Sequence, residues 1–454
     1  MTERRERSSK HRIRGWHIAA IVPCLLIVAF AVFRIIVRTK VNRRIDAIRA
    51  AGYPVTFAEL DDWYRPPDGE NAADYITTAF THLHLPDKQQ QERLPLFGSN
   101  TLPLRTYRTD GETRALIAQL LADNHDALEL LREGAAIPGC RYPVDLAQGF
   151  SCRIPHLPPG LREATFLFVL ESMLQAEEHN AEPAVQSILS AYGLAHSLRN
   201  EPTDISQIVR MSLHRFVGSG LERILNKIRL SDTQLRRIDA VLAAAHDPNA
   251  SVLPLVYRRC SGYEAFRKPR DPDLVQETQE EAPSVAHIAI GRALGTLDLS
   301  LLEYLDRVEQ HMKILQLAPA QRLEAATEAK ARYEANPLPP GLNWLLDDLA
   351  QIIRIDVEDM ARVHVARAAI AIERYRLADD RLPESIADVV PRFLEAVPED
   401  PFDSESLRYG KRDGGYVVYS IGPDGTDDGG TERRPKRSGQ KEDLPYDVTF
   451  IIER

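Results

Sequence analysis

The chain has 454 residues, 44% of them hydrophobic and 27% charged, which is ordinary globular composition with ample material for a core and excludes global disorder. Of its 57 Lys and Arg and 66 Asp and Glu, residues 1–49 hold 12 and 3, leaving 45 against 63 for the rest. The front is basic and the body acidic, which excludes broad nucleic-acid binding, because that rests on neutralising phosphates with Lys and Arg.

The basic front flanks an apolar run from Trp16 to Val37, broken by Pro23 and by Arg34 near its end. As helix this run extends roughly 33 Å at about 1.5 Å per residue, enough to cross a bilayer core of about 30 Å. It is expected to be a single-pass anchor in the cytoplasmic membrane, touching lipid through residues 16–37 behind a basic tail, 1–15. Arg34 can snorkel to the headgroups, and Trp16 suits the opposite interface. The alternatives are a cleaved signal peptide, with Ala29-Phe30-Ala31 as its small-residue site, and a buried core helix. Basic residues balance on the two sides, so charge leaves the orientation open. Cys140 and Cys152 lie in a Pro- and Gly-rich loop and either close a disulfide in an oxidising compartment or remain two thiols near a core.

Past the anchor, residues 38–52 read as an exposed basic continuation of its helix, ended by Arg65-Pro66-Pro67-Asp68-Gly69. A helical domain, 38–340, is expected next, with helices near 70–84, 112–133, 160–180, 182–200, 203–229 and 231–246. In 203–229 the residues Ile205, Ile208, Val209, Phe216, Leu221, Ile224 and Leu225 share one stripe, with Arg210, Glu222, Arg223 and Arg229 mostly away from it. Residues 161–174 are apolar nearly all round, which predicts a centrally buried helix. Ser231 with Gln234 has the capping-box spacing. Residues 248–282, rich in Pro, Arg and acids, read as a candidate linker. Helices resume near Pro283, and the longest falls between Leu342 and Asp380. After Pro383 the period changes to strand-like segments near 406–409, 415–421 and 446–452. The fold class expected is therefore mainly α: an N-terminal transmembrane helix, a multi-helix body and a small α+β module, 341–454.

The stretch 416–430, YVVYSIGPDGTDDGG, packs three carboxylates and four glycines behind a strand-like alternation. If the glycines turn the chain tightly, Asp424, Asp427 and Asp428 share a small volume. Two like charges about 5 Å apart at an effective dielectric of about 20 repel by roughly 3 kcal/mol, so an ordered loop of this kind wants a cation. Calcium, a hard oxygen-seeking ion, is the natural candidate. The plain alternative is a solvated acidic turn.

In combination, ARAAIAIERYRLADDRLPES (366–385), VPEDPFDSESLRY (397–409) and GGYVVYSIGPDGTDDGG (414–430) resemble the globular head of the major pseudopilin of type II secretion systems. The order is long helix, Tyr-x-Leu before Leu-Pro, an Asp-Pro-aromatic turn, then a Tyr-Ser-x-Gly-x-Asp-Gly loop. The resemblance is strong over about residues 361–430, with a weaker echo at 446–450. It implies a calcium ion held by the main-chain carbonyls of Ile421 and Thr426, the side chain of Asp424 and a late acid best matched by Asp447. Asp427 and Asp428 would be further ligands or electrostatic support. Family members join the membrane helix directly to the head helix, whereas residues 38–340 intervene here. Gly15 and Trp16 fit the family's processing site, but its fifth residue is Ala20 rather than Glu. Arg433-Arg434-Pro435-Lys436-Arg437 lengthens the stretch before Asp447.

No G-x-S-x-G, H-E-x-x-H or Gly-Lys-Ser phosphate loop occurs. His82 and His84, two apart on a helix, face different ways. The expected role is accordingly non-catalytic, structural or partner-binding outside the cytoplasmic membrane, with a protein partner in the envelope. Alternatives are a type II secretion-like assembly component and a membrane-anchored enzyme with its site between body and tail.

Overall fold

The computed structural model describes residues 15–98, 100–152, 160–245, 247, 250–278, 283–338, 342, 345, 349–433 and 446–454. The basic tail up to residue 14, the side chain of Trp16 and residues 434–437 lie outside the described residues. The described helices are α1 (Gly15–Ala50), α2 (Phe57–Trp63), α3 (Ala72–Thr81), α4 (Lys88–Gln91), α5 (Gly111–Asp123), α6 (His125–Ala136), α7 (Leu161–Glu177) and α8 (Ala181–His196). They continue with α9 (Asp204–Lys227), α10 (Asp232–Ala245), α11 (Leu253–Arg267), α12 (Pro272–Thr278), α13 (Val285–Leu294), α14 (Thr296–Ile314), α15 (Pro319–Ala335) and α16 (Leu349–Asp379). Strands β1 (Arg408–Arg412), β2 (Gly415–Ser420) and β3 (Val448–Glu453) form one antiparallel sheet in that order. The protein is thus mainly helical, with one N-terminal apolar helix and a small three-stranded sheet.

Helix α1 is long and apolar enough to cross a membrane, and residues 21–33 are exposed along it. It does not stay free to Val37, nor is 38–50 an exposed extension. Val37, Val41, Ile45 and Ile48 are buried, the last three in a core with Leu301, Tyr304, Leu305 and Val308 of α14. Arg34 pairs with Asp298 at 2.9 Å instead of reaching for headgroups, and Arg44 pairs with Asp306 and Glu309. Basic residues flanking an apolar stripe read as a solvated face because their partners lie more than 250 residues away in sequence.

The central helix is α7, buried on nearly every side between residues 161 and 176 and packed between α8 and α9, as its composition required. The region expected as one helix over 112–133 is two, α5 and α6, divided at Asn124. That side chain is buried and spans the break, donating to Leu120 O and His84 O and accepting from His84 N. Ser231 and Gln234 make both capping-box bonds, Ser231 N to Gln234 Oε1 at 3.0 Å and Gln234 N to Ser231 Oγ at 3.3 Å. Cys140 carries a free, buried thiol, which burial pushes up to about 12.

Residues 248–282 are not a surface connection throughout. Their middle is α11, with Leu255, Val256, Cys260, Ala265 and Phe266 buried. Arginines between those positions hid the pattern: Arg258 pairs with Asp204, and Arg259 is itself buried and donates to Pro54 O. At Gly262 the helix meets the ring of Tyr304 so closely that an added Cβ would lie 2.0 Å from Cε1. The Tyr304 hydroxyl then donates to Arg258 O. Gly262→Ala must push α11 off α14, and it is expected to cost on the order of 1–3 kcal/mol. A chemical denaturation curve of the detergent-solubilised protein checks this; an unchanged midpoint would contradict the packing.

Helix α9 corrects the amphipathic reading most. Leu221, Ile224 and Leu225 are buried as expected, but Ile205 is exposed, whereas Arg210 is buried and donates to Ala245 O at 3.0 Å. The supposed polar face is a second contact face. Glu222 accepts Ile451 N at 2.6 Å, and Asn226 donates to Ile451 O at 2.8 Å while accepting Glu453 N at 2.7 Å. These side chains occupy the open edge of β3, the position an additional strand would take. The opposite side of the tail rests on α16, and one apolar cluster runs from Phe57 through α7 and α16 to Ile452.

Candidate functional site

The acidic loop is built outward from Asp400, which belongs to the Asp-Pro-aromatic turn and is fully buried. Its carboxylate accepts Ser420 Oγ at 2.7 Å, Ile421 N at 2.9 Å and Phe402 N at 3.0 Å, and pairs with Arg408 at 2.6 Å. Asp400 therefore fixes where the loop leaves β2. Asp447 fixes where it returns. One of its oxygens accepts Gly430 N at 2.6 Å and Thr431 N at 3.1 Å, and the other accepts Asp428 N at 3.3 Å. Asp447 is 2% exposed, and burial pushes its carboxyl above the usual carboxylate range although the three N–H groups and the nearby Asp428 charge pull in opposite directions.

Of the residues expected at a calcium site, the fold brings Asp428 and Asp447 together at the base of the loop. Ile421 is buried at its start. Asp424 and Thr426 sit on the exposed turn between, where Asp424 Oδ1 accepts Thr426 N at 3.1 Å. Asp427 turns its carboxylate to Gly429 N and toward Arg408. Among the described residues no group of three His, Cys, Asp or Glu side chains is placed to hold a metal, so a cation here would rely on carbonyls as much as carboxylates. The donor set meets that requirement in part. Among the described residues neither the Ile421 nor the Thr426 carbonyl accepts a hydrogen bond, and Asp428 Oδ2 is a buried oxygen with no partner. An orphaned carboxylate oxygen costs stability unless a cation or water answers it.

A second polar site lies between body and tail, where α9, α16 and Tyr446 enclose a cavity of about 270 Å³. Arg215, Arg354, Arg362 and Arg433 line it with Glu358 and Asp359. Arg362 pairs with Glu358, and Arg433 stacks on the Tyr446 ring at 5.0 Å. Behind this wall His214 Nδ1 lies 3.0 Å from Asp359 Oδ2, with both side chains buried and Asp359 Oδ1 lacking a partner. Sequence reasoning missed this pair because its members stand on helices far apart in the chain. The signals available were a His inside an apolar stripe and an acid inside the longest helix.

The remaining staple between body and tail is Arg105, 9% exposed, which pairs with Glu432, with Glu453 at 3.3 Å and with Glu222 at 3.7 Å. No protein-family model matches this chain, and no curated protein or solved structure matches it.

Burial pushes the Glu222 carboxyl up to about 7, and that of Glu201, held by the Tyr64 hydroxyl, also to about 7. Both folded values lie above the ordinary Glu value, so folding takes up protons, and the stability these groups contribute is present at low pH and lost as pH rises through about 7. Unfolding midpoints measured between pH 5.5 and pH 8 should fall with rising pH, and Glu222→Gln, which keeps an acceptor for Ile451 N, should flatten the slope. A slope identical to that of the unaltered protein would remove Glu222 from the account.

Proposed function

We propose that this chain is a single-span membrane protein whose helical body carries a calcium-stabilised, pseudopilin-like α+β module on the extracytoplasmic side, with a structural or partner-binding role in the envelope. The observation that carries this reading is the loop 421–431. It is fixed at both ends by buried aspartates, and it leaves two carbonyls and the buried Asp428 Oδ2 without protein partners among the described residues. That is oxygen chemistry suited to calcium, which takes six to eight oxygen ligands in flexible geometry. Ile421 and Thr426 would contribute carbonyls, and Asp424 and Asp428 carboxylate oxygens. Asp447 would hold the loop's N–H groups inward while adding negative charge behind the ion. The long helix followed by a three-stranded meander supports the resemblance of the tail without extending it to the body.

Calcium at 100 times its dissociation constant should stabilise the protein by about 2.7 kcal/mol. The gain should vanish in Asp428→Asn and in Asp424→Ala. Because Asp447 is pushed upward, the calcium effect should also shrink as pH falls and protons compete for the loop. Thermal melts with calcium and with chelator read all of this, and a melting point indifferent to calcium at pH 7.5 would refute the metal.

A second reading, a membrane-anchored enzyme or anion receptor with its site between body and tail, is favoured by the arginine-lined cavity beside His214 and Asp359. Guanidinium groups recognise planar or multiply charged oxyanions well. On this reading inorganic pyrophosphate, used as a probe, raises the melting point, and Arg354→Gln with Arg362→Gln cancels the rise. No rise for the unaltered protein would count against it.

A further inference from the structure

The level at which the body meets the anchor carries a feature that the calcium loop does not use. Helix α14 runs beside the inner half of α1 in the same direction, because Arg34 pairs with Asp298 and, further along both helices, Arg44 pairs with Asp306 and Glu309. Immediately before it, α13 is turned by 84° to α14. The corner is Gly295, which has φ 82° and presses on α1 so closely that an added Cβ would lie 1.9 Å from Arg34 Nη1. Since α14 follows the anchor axis, α13 lies across it, in the direction of a bilayer plane.

The surface of α13 suits that position. At 100° per residue, Ile288 and Gly291 fall on one side and are buried against the body. The opposite half-circle holds Val285, Ala286, Ala289, Ile290, Ala293 and Leu294, every one exposed and apolar, with Val285 67% and Ile290 58% exposed. His287 and Arg292 sit at the margins. An apolar face of this width turned to water is uncommon in a soluble protein. The end of this face reaches the anchor at Gly295, which meets Arg34, and next to Arg34 in the chain Ile35 and Ile36 are 65% and 49% exposed.

Beside it a cavity of about 450 Å³ opens between α1, α11 and α14, lined by Arg34, Arg38, Arg267 and Arg292 with Asn42 and Tyr263. Asp298 neutralises Arg34. Arg38, Arg267 and Arg292 have no carboxylate partner among the described residues; Arg292 Nη2 donates to the main-chain carbonyl of Arg267 at 2.8 Å, and the Arg267 guanidinium lies over the Tyr263 ring at 5.9 Å. Three guanidinium groups without a carboxylate partner among the described residues, around a cavity whose Asp298 is paired with Arg34 and at the margin of an apolar face, match the phosphate of a lipid whose chains lie under that face.

Resting on the reading of α1 as a membrane anchor, we propose that α13 is an interfacial foot. Its exposed face is immersed in the acyl layer of the bilayer that α1 crosses, and the arginine cavity holds the headgroup phosphate of an anionic phospholipid. The foot gives the body a second point of contact with the membrane and so fixes its tilt about the anchor.

The test uses the full chain with Cys24→Ser and Cys152→Ser, reconstituted in vesicles of equal parts phosphatidylcholine and phosphatidylglycerol. An environment-sensitive fluorophore is placed at Ile290→Cys, at Ile27→Cys or at Leu104→Cys. The label at position 290 should be quenched by lipid-borne nitroxide and protected from aqueous iodide, as at 27, whereas 104 should show the reverse. Iodide quenching at 290 with lipid quenching at 27 would overturn the foot and leave the anchor standing; loss of lipid quenching at 27 would overturn the anchor itself. For the headgroup, nitroxide carried on phosphatidylglycerol should quench the 290 label about tenfold more effectively than nitroxide on phosphatidylcholine. The preference should disappear in Arg38→Gln/Arg267→Gln/Arg292→Gln and weaken in Arg38→Gln alone, an exposed change the fold tolerates. Equal quenching by the two lipids in the unaltered protein would refute the arginine site.

Discussion

The architecture depends on what satisfies the open edge of β3. A three-stranded sheet needs an apolar face or a helix to pack on, and a bare edge offers unpaired N–H and C=O groups to any other strand. Here the edge is occupied by side chains from α9: Glu222 accepts from Ile451, and Asn226 both donates to Ile451 and accepts from Glu453. Arg105 then pairs with Glu222, Glu432 and Glu453 from one position between body and tail. The tail is consequently not a bead on a string. The β3 edge of its sheet is held by α9, α16 packs against β2 and β3, and the core continues from α7 into Tyr416, Val418 and Phe450.

Reliance on such distant polar contacts explains why some of the fold was legible in the sequence and some was not. Helix α7, apolar on all sides, could only be central. The Ser231–Gln234 cap, the long α16 and the strands of the tail all declare themselves by local pattern. The failures share one cause, namely polar side chains whose partners are remote in the chain. Arg210 and Glu222 on α9 fall off the apolar stripe, Arg258 and Arg259 on α11 sit in a candidate linker, Arg34 is expected at the headgroups and Arg44 on an exposed basic helix, yet each is turned inward to a main-chain group or a charge on another element. Glu177 at the end of α7 belongs to the same kind of network: it accepts Thr109 N and Oγ and pairs with Arg114. The spacing of apolar residues tells where apolar area goes. It is silent on buried polar networks, which need both partners to be known.

The candidate loop was half legible for the same reason. Its composition announced an acidic turn with three carboxylates in one small volume; the chain forms the turn but spreads them, Asp424 on the exposed tip, Asp427 toward Arg408 and Asp428 beside Asp447. The division of labour was hidden: Asp447 commits its oxygens to the main chain and Asp400 divides its own between main chain, Ser420 and Arg408, so both position the loop, whereas Asp424 and Asp428 retain oxygens that the main chain does not use. Asp400 lay in the Asp-Pro-aromatic turn and Asp447 far beyond the glycines, so only the bridge between Glu432 and Asp447 and the return of β3 bring them to one place. A loop clamped at both ends is preorganised, and preorganisation is what lets a few oxygens capture a cation without a large ordering cost.

The apolar N-terminal helix is integrated in the same way as the tail. With Val41, Ile45 and Ile48 in a core against α14 and with two sets of ion pairs along the seam, α1 can neither rotate nor slide relative to the body without exposing that core. The exposed apolar stretch 21–33 ends where Arg34 and Asp298 begin, so the helix that leaves the body is already oriented. A flexible linker would leave the apolar segment free to take any angle to the body. A helix continuous with the core instead transmits its own direction to α14, from α14 to α11 through the Gly262–Tyr304 contact, and from α11 and α9 to the sheet. The position of the acidic loop relative to the apolar helix is therefore a property of packing, set by the same buried polar pairs that the sequence concealed.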